Sequence, residues 1–469
     1  MPVARHRPSK NQTTLRRPAW RVWMMAALLG LSAGASRAQS LQELYEAARG
    51  FDATYLAARA LLDSAQYKAE QAQALQRPSV GLSVSATRST SDTPYASTLN
   101  STSNNVNAGL SGSQSLFNRA NDATVQQAAK ALDVSRADFE SAEQDLIVRV
   151  AQAYFDVLAA QDALSTTRAN KTFINEQLAS AKRNFEVGTA TITDTREAQA
   201  RFDLATAQEI AADNDLRAKR IALDQLVGRS NVTPRGLATP VVLPPVAPAA
   251  VEDWVQQADA EHPTVRRARL GLDVAKLETE KAQAGNLPTV ALNGSLGKGR
   301  VSTSGDSRSS TGATAGQVFP FSQSGTSTNT SIGVTLNLPL FAGYSIQNRI
   351  KETLSLEEKS RNDLEAARRA VAQATRVSFF GVQSGQAQVK ALEAAESSSQ
   401  LALEATQLGY RVGVRVNLDV LNSQTQLFTT KRDLAKARYD VLVNGLKLRQ
   451  ASGQLKPADL NAVNQLLAR

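Results

Sequence analysis

Cysteine is absent from this 469-residue chain, and histidine occurs only twice, as His6 and His262. No thiol means no disulfide framework, no thiolate nucleophile and no lipid-modified cysteine at a processed N-terminus. With so few imidazoles, a histidine-based metal site or a Ser-His-Asp triad has nothing to be built from. The expectation is no catalytic centre, no metal and no cofactor. Aromatics make up 5% of the chain. Long apolar runs are missing too: Val22–Leu31 spans ten residues, against the roughly 20 that a membrane-crossing helix needs. Between Ser113 and Val187 there is neither glycine nor proline.

The short apolar run has its own reading. Arg5, Arg7, Lys10, Arg16, Arg17 and Arg21 precede it, and Ser36-Arg37-Ala38 follows with small residues at −3 and −1 before Gln39. That is the pattern of a secretory signal over residues 1–38. The segment carries seven Lys or Arg and no Asp or Glu, so the formal charge of +10 falls to +3 without it. The high pI belongs to the leader, and a basic nucleic-acid footprint is not expected.

What the chain does have is a duplication. Val187-Gly188-Thr189-Ala190-Thr191-Ile192-Thr193-Asp194 returns as Val412-Gly413-Val414-Arg415-Val416-Asn417-Leu418-Asp419, 225 residues later. Both read V-G-x5-D. At the same offset Ser135-Arg136-x-Asp138-x-Glu140 returns as Ser360-Arg361-x-Asp363-x-Glu365, and Val157, Gln199, Asp215, Leu223 and Gly228 return as Val382, Gln424, Asp440, Leu448 and Gly453. Self-similarity of this length dictates architecture. Each V-G breaks a helical pattern that resumes at once, so the unit is a long helical hairpin. The expected boundaries are a first repeat over 39–228, a proline-rich linker over 229–250, a second repeat over 251–456 and a tail over 457–469. The hairpins cover about 122–228 and 347–456. Gly50 marks a break in the opening helix, and Val420, Leu427, Leu434, Val441 and Leu448 form a heptad seam.

Before each hairpin the period drops from helical to two. Val80, Leu82, Val84 and Ala86 alternate with Gly81, Ser83, Ser85 and Thr87; Val290, Leu292 and Leu296 and then Ile332, Val334, Leu336 and Leu338 do the same. This predicts strand pairs over about 78–117 and 288–341, with strands of about ten residues and long Ser/Thr/Gly tracts between them. Strands of that length and period suit an outer-membrane barrel, but four cannot close one, since the smallest have eight. Open edges are not tolerated in lipid. Several chains would contribute, as a dimer of eight strands or a trimer of twelve. The alternative is a soluble sheet folding its apolar face onto a helix.

The two tips, Leu116-Phe117, Pro339-Leu340-Phe341 and Gly409-Tyr410-Arg411-Val412-Gly413 together resemble the TolC family of outer-membrane efflux and secretion ducts. The resemblance spans the whole mature chain. It implies a mainly α fold with a β-barrel portion: a homotrimer with a twelve-stranded barrel in outer-membrane lipid and a twelve-helix barrel crossing the periplasm. It implies a passive conduit rather than an enzyme, docking through a periplasmic adaptor onto an inner-membrane transporter of ABC or RND type. Lacking a lipidated cysteine, the chain is similar to the branch that often serves type I protein secretion. By the same resemblance Arg415 and Tyr410 bond to Thr193 and Asp194 on an adjacent helical pair and hold the tip shut. Asp419 lines the constriction, and Asn422 stands where a second acidic ring is often found. Val187, Gly188, Thr189, Val412, Gly413 and Val414 form the turns an adaptor grips. The competing expectation is a structural or adhesive coiled-coil protein of the cell envelope, which shares the helices but gives no reason for the strand pairs.

Overall fold

The computed structural model describes residues 38–93, 97–238 and 240–468. The expected leader therefore lies outside the described residues, apart from Ala38.

Helices and strands follow one plan twice. The first repeat runs α1 (Leu41–Phe51), α2 (Ala53–Gln73), β1 (Ser79–Asp92), β2 (Thr98–Phe117), α3 (Arg119–Glu186) and α4 (Ile192–Val227). The second runs α5 (Val251–Glu261), α6 (Pro263–Gln283), β3 (Thr289–Arg308), β4 (Val318–Asn337), α7 (Ser345–Arg411) and α8 (Asn417–Ala451). A short α9 (Asp459–Asn464) follows. The 68 residues of α3 extend roughly 100 Å at 1.5 Å per residue. Gly381, Gly385 and Gly409 do not interrupt α7, which runs unbroken for 67 residues.

Two expectations need correcting. The break in the opening helix falls at Asp52, not Gly50. Asp52 leaves helical geometry and its carboxylate accepts from the Tyr55 amide at 2.8 Å, capping α2, a role that Asp fills and Gly fills only weakly. The strands are also longer than ten residues: β1 has 14 and β2, β3 and β4 have 20 each. Much of the Ser/Thr/Asn tracts belongs to the strands, because the backbone ladder continues where the apolar alternation stops. Thr90 pairs with Thr102, and Thr102 with Ser304.

The four strands form one antiparallel sheet in the order β1-β2-β3-β4. Register assigns each residue a face, since directly opposed residues share one and neighbours along a strand do not. One face carries Leu82, Leu110 and Leu296 in a row, with Val84, Ala86, Val106, Leu292, Ile332, Val334 and Leu336 around them. The other carries Ser83, Gly109, Gly297 and Asn329, and Ser85, Asn107, Gly299 and Ser327. Among the described residues nothing covers the apolar face: Leu82 is 74% and Ile332 82% exposed. A soluble sheet closing that face onto a helix is not what the chain forms.

The helices pack lengthwise. Against α3 lie α2 along its first half, tied just beyond its two ends by Gln76–Asp122 and Arg149–Asp52, and α4 along its second, tied by Lys219–Asp156 and Arg168–Glu209. In the second repeat α6 meets α7 through Glu278–Arg349, and α8 returns along α7 with Arg438–Glu393. Apart from Arg149–Asp52, whose carboxylate is buried, these pairs are partly or fully exposed and contribute little each. The substance is the seam: Val420, Leu427, Leu434, Val441 and Leu448 are all buried, each worth roughly 1.5–3 kcal/mol on area grounds.

Where the two repeats meet, the core thickens. Leu41, Tyr45, Tyr154, Phe155, Leu223, Tyr439, Leu446 and Leu460 form one cluster drawn from α1, α3, α4, α8 and α9. Phe155 stacks on Tyr439 with centroids 5.7 Å apart, and the Tyr154 hydroxyl donates to the Arg235 carbonyl at 2.9 Å. The proline-rich connection and the tail are tied here as well, through bridges from Gln39 to Pro234 and from Leu237 to Leu467. The waist thus gathers Gln39, the proline-rich connection and Leu467 in one place.

Candidate gate at the helical tips

Each hairpin turns on one glycine. Gly188 and Gly413 have φ of +75° and +79°, the left-handed region that favours glycine. Each terminates its long helix with a closed loop: the Thr189 and Ala190 amides donate to the Asn184 carbonyl at 2.8 and 3.1 Å, and those of Val414 and Arg415 to Gly409 at 2.9 and 3.1 Å. The backbones are copies. The side chains are not.

Asp194 and Asp419 occupy one repeat position and do different work. In the first tip Thr191 caps α4, accepting from the Asp194 amide at 3.2 Å while the Asp194 carboxylate accepts from the Thr191 amide at 3.0 Å and hydroxyl at 2.7 Å. This is a closed capping box. In the second tip the capping position is Val416, which offers no side-chain acceptor. Asp419 is released, and its carboxylate faces Arg415 at 3.6 Å, one helical turn away. The Arg415 stem lies across Gly409, where any added Cβ would meet its Cγ at 2.8 Å. Glycine at 409 is what lets the arginine lie flat.

Near the tips, among the described residues, two hydrogen bonds join the hairpins. Asn184 Nδ2 donates to the Tyr410 hydroxyl at 3.3 Å, and an Arg201 guanidinium nitrogen donates to Asn422 Oδ1 at 3.0 Å. Tyr410 therefore does connect the two tips, but within the chain its partner is Asn184, not Thr193 or Asp194. Within one chain Arg415 pairs inside its own hairpin, and Thr193 is exposed. Asn422 stands three residues after Asp419, on the same side of α8. Asn184 and Arg201 were not singled out from the sequence. A signal existed: at the 225-residue offset Asn184 meets Gly409, Phe185 meets Tyr410, Arg201 meets Gln426 and Glu197 meets Asn422. Both cross-hairpin bonds use residues that the two copies do not share.

The ends of the tips are apolar and uncovered. Val187, Val412 and Val414 are 72%, 66% and 78% exposed, with Thr189 exposed between the glycine and the cap. Isolated surface valines need no explanation, but here they crown the ends of two 100 Å-class helices. Among the described residues no cluster of His, Asp or Glu could hold a metal, and no helix is long and apolar enough to cross a membrane.

A family model described as outer membrane efflux protein matches residues 33–229 and 254–454, the two repeats on either side of the proline-rich connection. The chain belongs to that family. Over 451 residues it is 32% identical to outer membrane protein TolC of Escherichia coli, covering 95% of this chain and 89% of the relative. It is 35% identical over 329 residues to the alkaline protease secretion protein AprF of Pseudomonas aeruginosa, covering 69% of this chain and 65% of that one. Among solved structures, the outer membrane protein VceC of Vibrio cholerae superposes with a TM-score of 0.71 at 21% identity, covering 88% of this chain and 96% of that chain. Membership gives the exposed apolar sheet its setting: this is an outer-membrane efflux channel, in a family of channels rather than enzymes. The outer-membrane efflux family also accounts for what a free-standing coiled coil does not, the strand pair preceding each helical hairpin.

Proposed function

We propose that three copies of this chain form a passive exit duct, with a twelve-stranded barrel in the outer membrane and a twelve-helix barrel in the periplasm. Four strands with two open edges and an uncovered apolar face cannot stand alone in lipid, and three copies supply a barrel of ordinary size. The other face then lines the lumen. It carries no charged residue along any of the four strands, so the barrel passes solutes without sorting them by charge. Selection and closure fall to the tips.

The observation that carries the gate is the released Asp419. Held by Arg415 at 3.6 Å rather than by a capping box, it is the acidic group at the tips that a change of helix packing can move. Three copies on an axis form a ring that attracts cations. In the closed trimer Arg415 and Tyr410 reach the neighbouring hairpin around Thr193 and Asp194, and these charge-assisted bonds exchange with water on opening. The exposed valines beside Gly188 and Gly413 seat a periplasmic adaptor, which links the duct to an inner-membrane transporter of ABC or RND type. Protein secretion is the favoured cargo class, since the relative AprF is named for alkaline protease secretion. Planar-bilayer recording tests the reading: wild type conducts poorly, and Arg415→Ala conducts several-fold more. Wild-type conductance as high as the variant's would remove the gate from the tips. Val412→Cys carrying a photocrosslinker should capture an adaptor in cells, and capture of none would remove the docking role.

A further inference from the structure

The sheet distributes its charge in an unexpected way. Its six charged residues, Arg88, Asp92, Lys298, Arg300, Asp306 and Arg308, all occupy the apolar face, and the small polar face has none. In the barrel proposed above, the water-filled side is uncharged and the lipid-facing side holds every charge. Burying ions in hydrocarbon is costly, so these positions must lie where the hydrocarbon ends.

Register shows that they do. On β1 the outward apolar series is Val80, Leu82, Val84 and Ala86, and the next outward residue is Arg88. On β3 it is Val290, Leu292, Gly294 and Leu296, and the next two are Lys298 and Arg300. The upper limit of the apolar series steps down across the sheet, from Ala86 on β1 and Val106 on β2 to Leu296 on β3 and Ile332 on β4. A band level with the membrane makes such a diagonal when strands are tilted, as barrel strands are. Allowing for the tilt, Arg88 and Lys298 stand at one height, at the rim of the apolar band on the side of the hairpin turns and away from the helices. With the helices in the periplasm, that rim faces the outer leaflet.

The three cations are exposed, and among the described residues none makes an ion pair. Asp92 and Asp306 lie farther out, four and six residues beyond Arg88 and Arg300 on their strands, about 13–20 Å along the chain. Arg88 and Arg300 are separated by two strand spacings and one register step, about 12 Å, with Asn104 and Val106 between them on β2. We propose that Arg88, Lys298 and Arg300 form a seat for the phosphate groups of outer-leaflet lipid headgroups, repeated three times around the barrel. Arginine suits this because its planar donors match phosphate oxygens two at a time, and an adjacent lysine adds charge without demanding geometry. The apolar rows below take the acyl chains of the same lipid, so one molecule meets both surfaces.

This rests on the outer-membrane barrel reading, and the test separates the two. Trimers purified in neutral detergent are titrated with diphosphorylated lipid A, dephosphorylated lipid A, phosphatidylcholine and free pyrophosphate, and retained molecules are counted by native mass spectrometry. Wild type should keep diphosphorylated lipid A in preference to the other three. The triple variant Arg88→Gln, Lys298→Gln, Arg300→Gln should lose this by on the order of tenfold or more while still running as a trimer. A control removing three cations from α7 (Lys351→Gln, Lys359→Gln, Arg361→Gln) should retain the lipid as wild type does. Equal retention by wild type and triple variant overturns the seat, as does wild-type indifference to the phosphates. Retention of pyrophosphate alone would mean an anion site with no lipid role, which also overturns it. A wild-type chain that forms no trimer and no conducting barrel overturns the barrel reading itself, and that outcome is visible before any lipid is added.

Discussion

Thr191 and Val416 sit at the same place in the two repeats, and the difference between them decides what the following aspartate does. A hydroxyl at the cap draws Asp194 back onto the backbone; a valine leaves Asp419 to Arg415. Neither Arg415 nor Asp419 is deeply buried, so their pairing adds little stability and its loss should show in conduction rather than folding. Asp419→Asn keeps size and hydrogen bonding but removes the charge. Cation-over-anion selectivity and block by multivalent cations should both fall, Asn422→Asp should strengthen both, and neutralising Asp215, far along α4, should change neither. Equal selectivity in wild type and Asp419→Asn would place the constriction elsewhere. Asp52 is the opposite kind of aspartate. It is buried, caps α2 and accepts two hydrogen bonds from Arg149 at 2.9 and 3.0 Å, and that guanidinium holds its carboxyl well below the usual carboxylate range. A depressed folded-state pKa stabilises at pH above the unfolded value of about 3.9, and the contribution disappears as pH falls through the folded value. Asp52→Asn should therefore cost about 2 kcal/mol at neutral pH, and its difference from wild type should narrow in acid below about pH 4. A gap in chemical-denaturation stability that stays constant down to pH 2 would contradict this.

At the scale of elements, the helices were readable because their signals are local. A 3.6 period, a glycine at each tip and heptad leucines are present in the residues themselves, and the seam from Val420 to Leu448 is buried throughout. Strand extents were less readable. Apolar alternation ends near Ala86 and Leu296, while pairing continues to Asp92 and Arg308, because backbone groups drive a ladder whatever side chains it carries. The cross-hairpin bonds escaped for another reason: a duplication advertises what two copies share, whereas Asn184, Tyr410, Arg201 and Asn422 lie where they differ. Shared glycines do mark shared geometry. Gly228 and Gly453 end α4 and α8 with φ of +67° and +76°, and each is pressed on a junction between short helices. A Cβ on Gly228 would meet the Phe51 ring at 2.4 Å, and one on Gly453 would meet the His262 backbone at 2.5 Å. A side chain such as phenylalanine can swing aside; backbone cannot. Gly453→Ala should thus lower thermal stability more than Gly228→Ala, by at least ~1–2 kcal/mol relative to wild type. Gly50→Ala, in α1 with nothing within 4 Å, should raise it slightly. Calorimetry on the three variants checks the order.

At the scale of the molecule, the sheet edges and the absence of cysteine combine into a test of assembly. Ser83 of β1 and Ser331 of β4 both belong to the small polar face and stand three strand spacings and one register step apart within one chain, about 16 Å. A disulfide needs Cα atoms within about 7 Å, so cysteines at these two positions cannot pair inside one chain. If β4 of one copy pairs with β1 of the next, they come within reach between chains, and the native sequence contributes no competing thiol. Stagger across that seam is accommodated by testing Ser83→Cys in turn with Asn329→Cys, Ser331→Cys and Gly333→Cys, which step along one face of β4. One combination should oxidise efficiently, and its denatured product should form a ladder that ends at three chains and collapses to one on reduction. A ladder ending at two would mean eight strands and a pore too narrow for a secreted protein. A ladder with no end would mean open association of edges rather than closure. Termination at three, lost when either cysteine is left out, is the outcome expected of a closed twelve-stranded barrel.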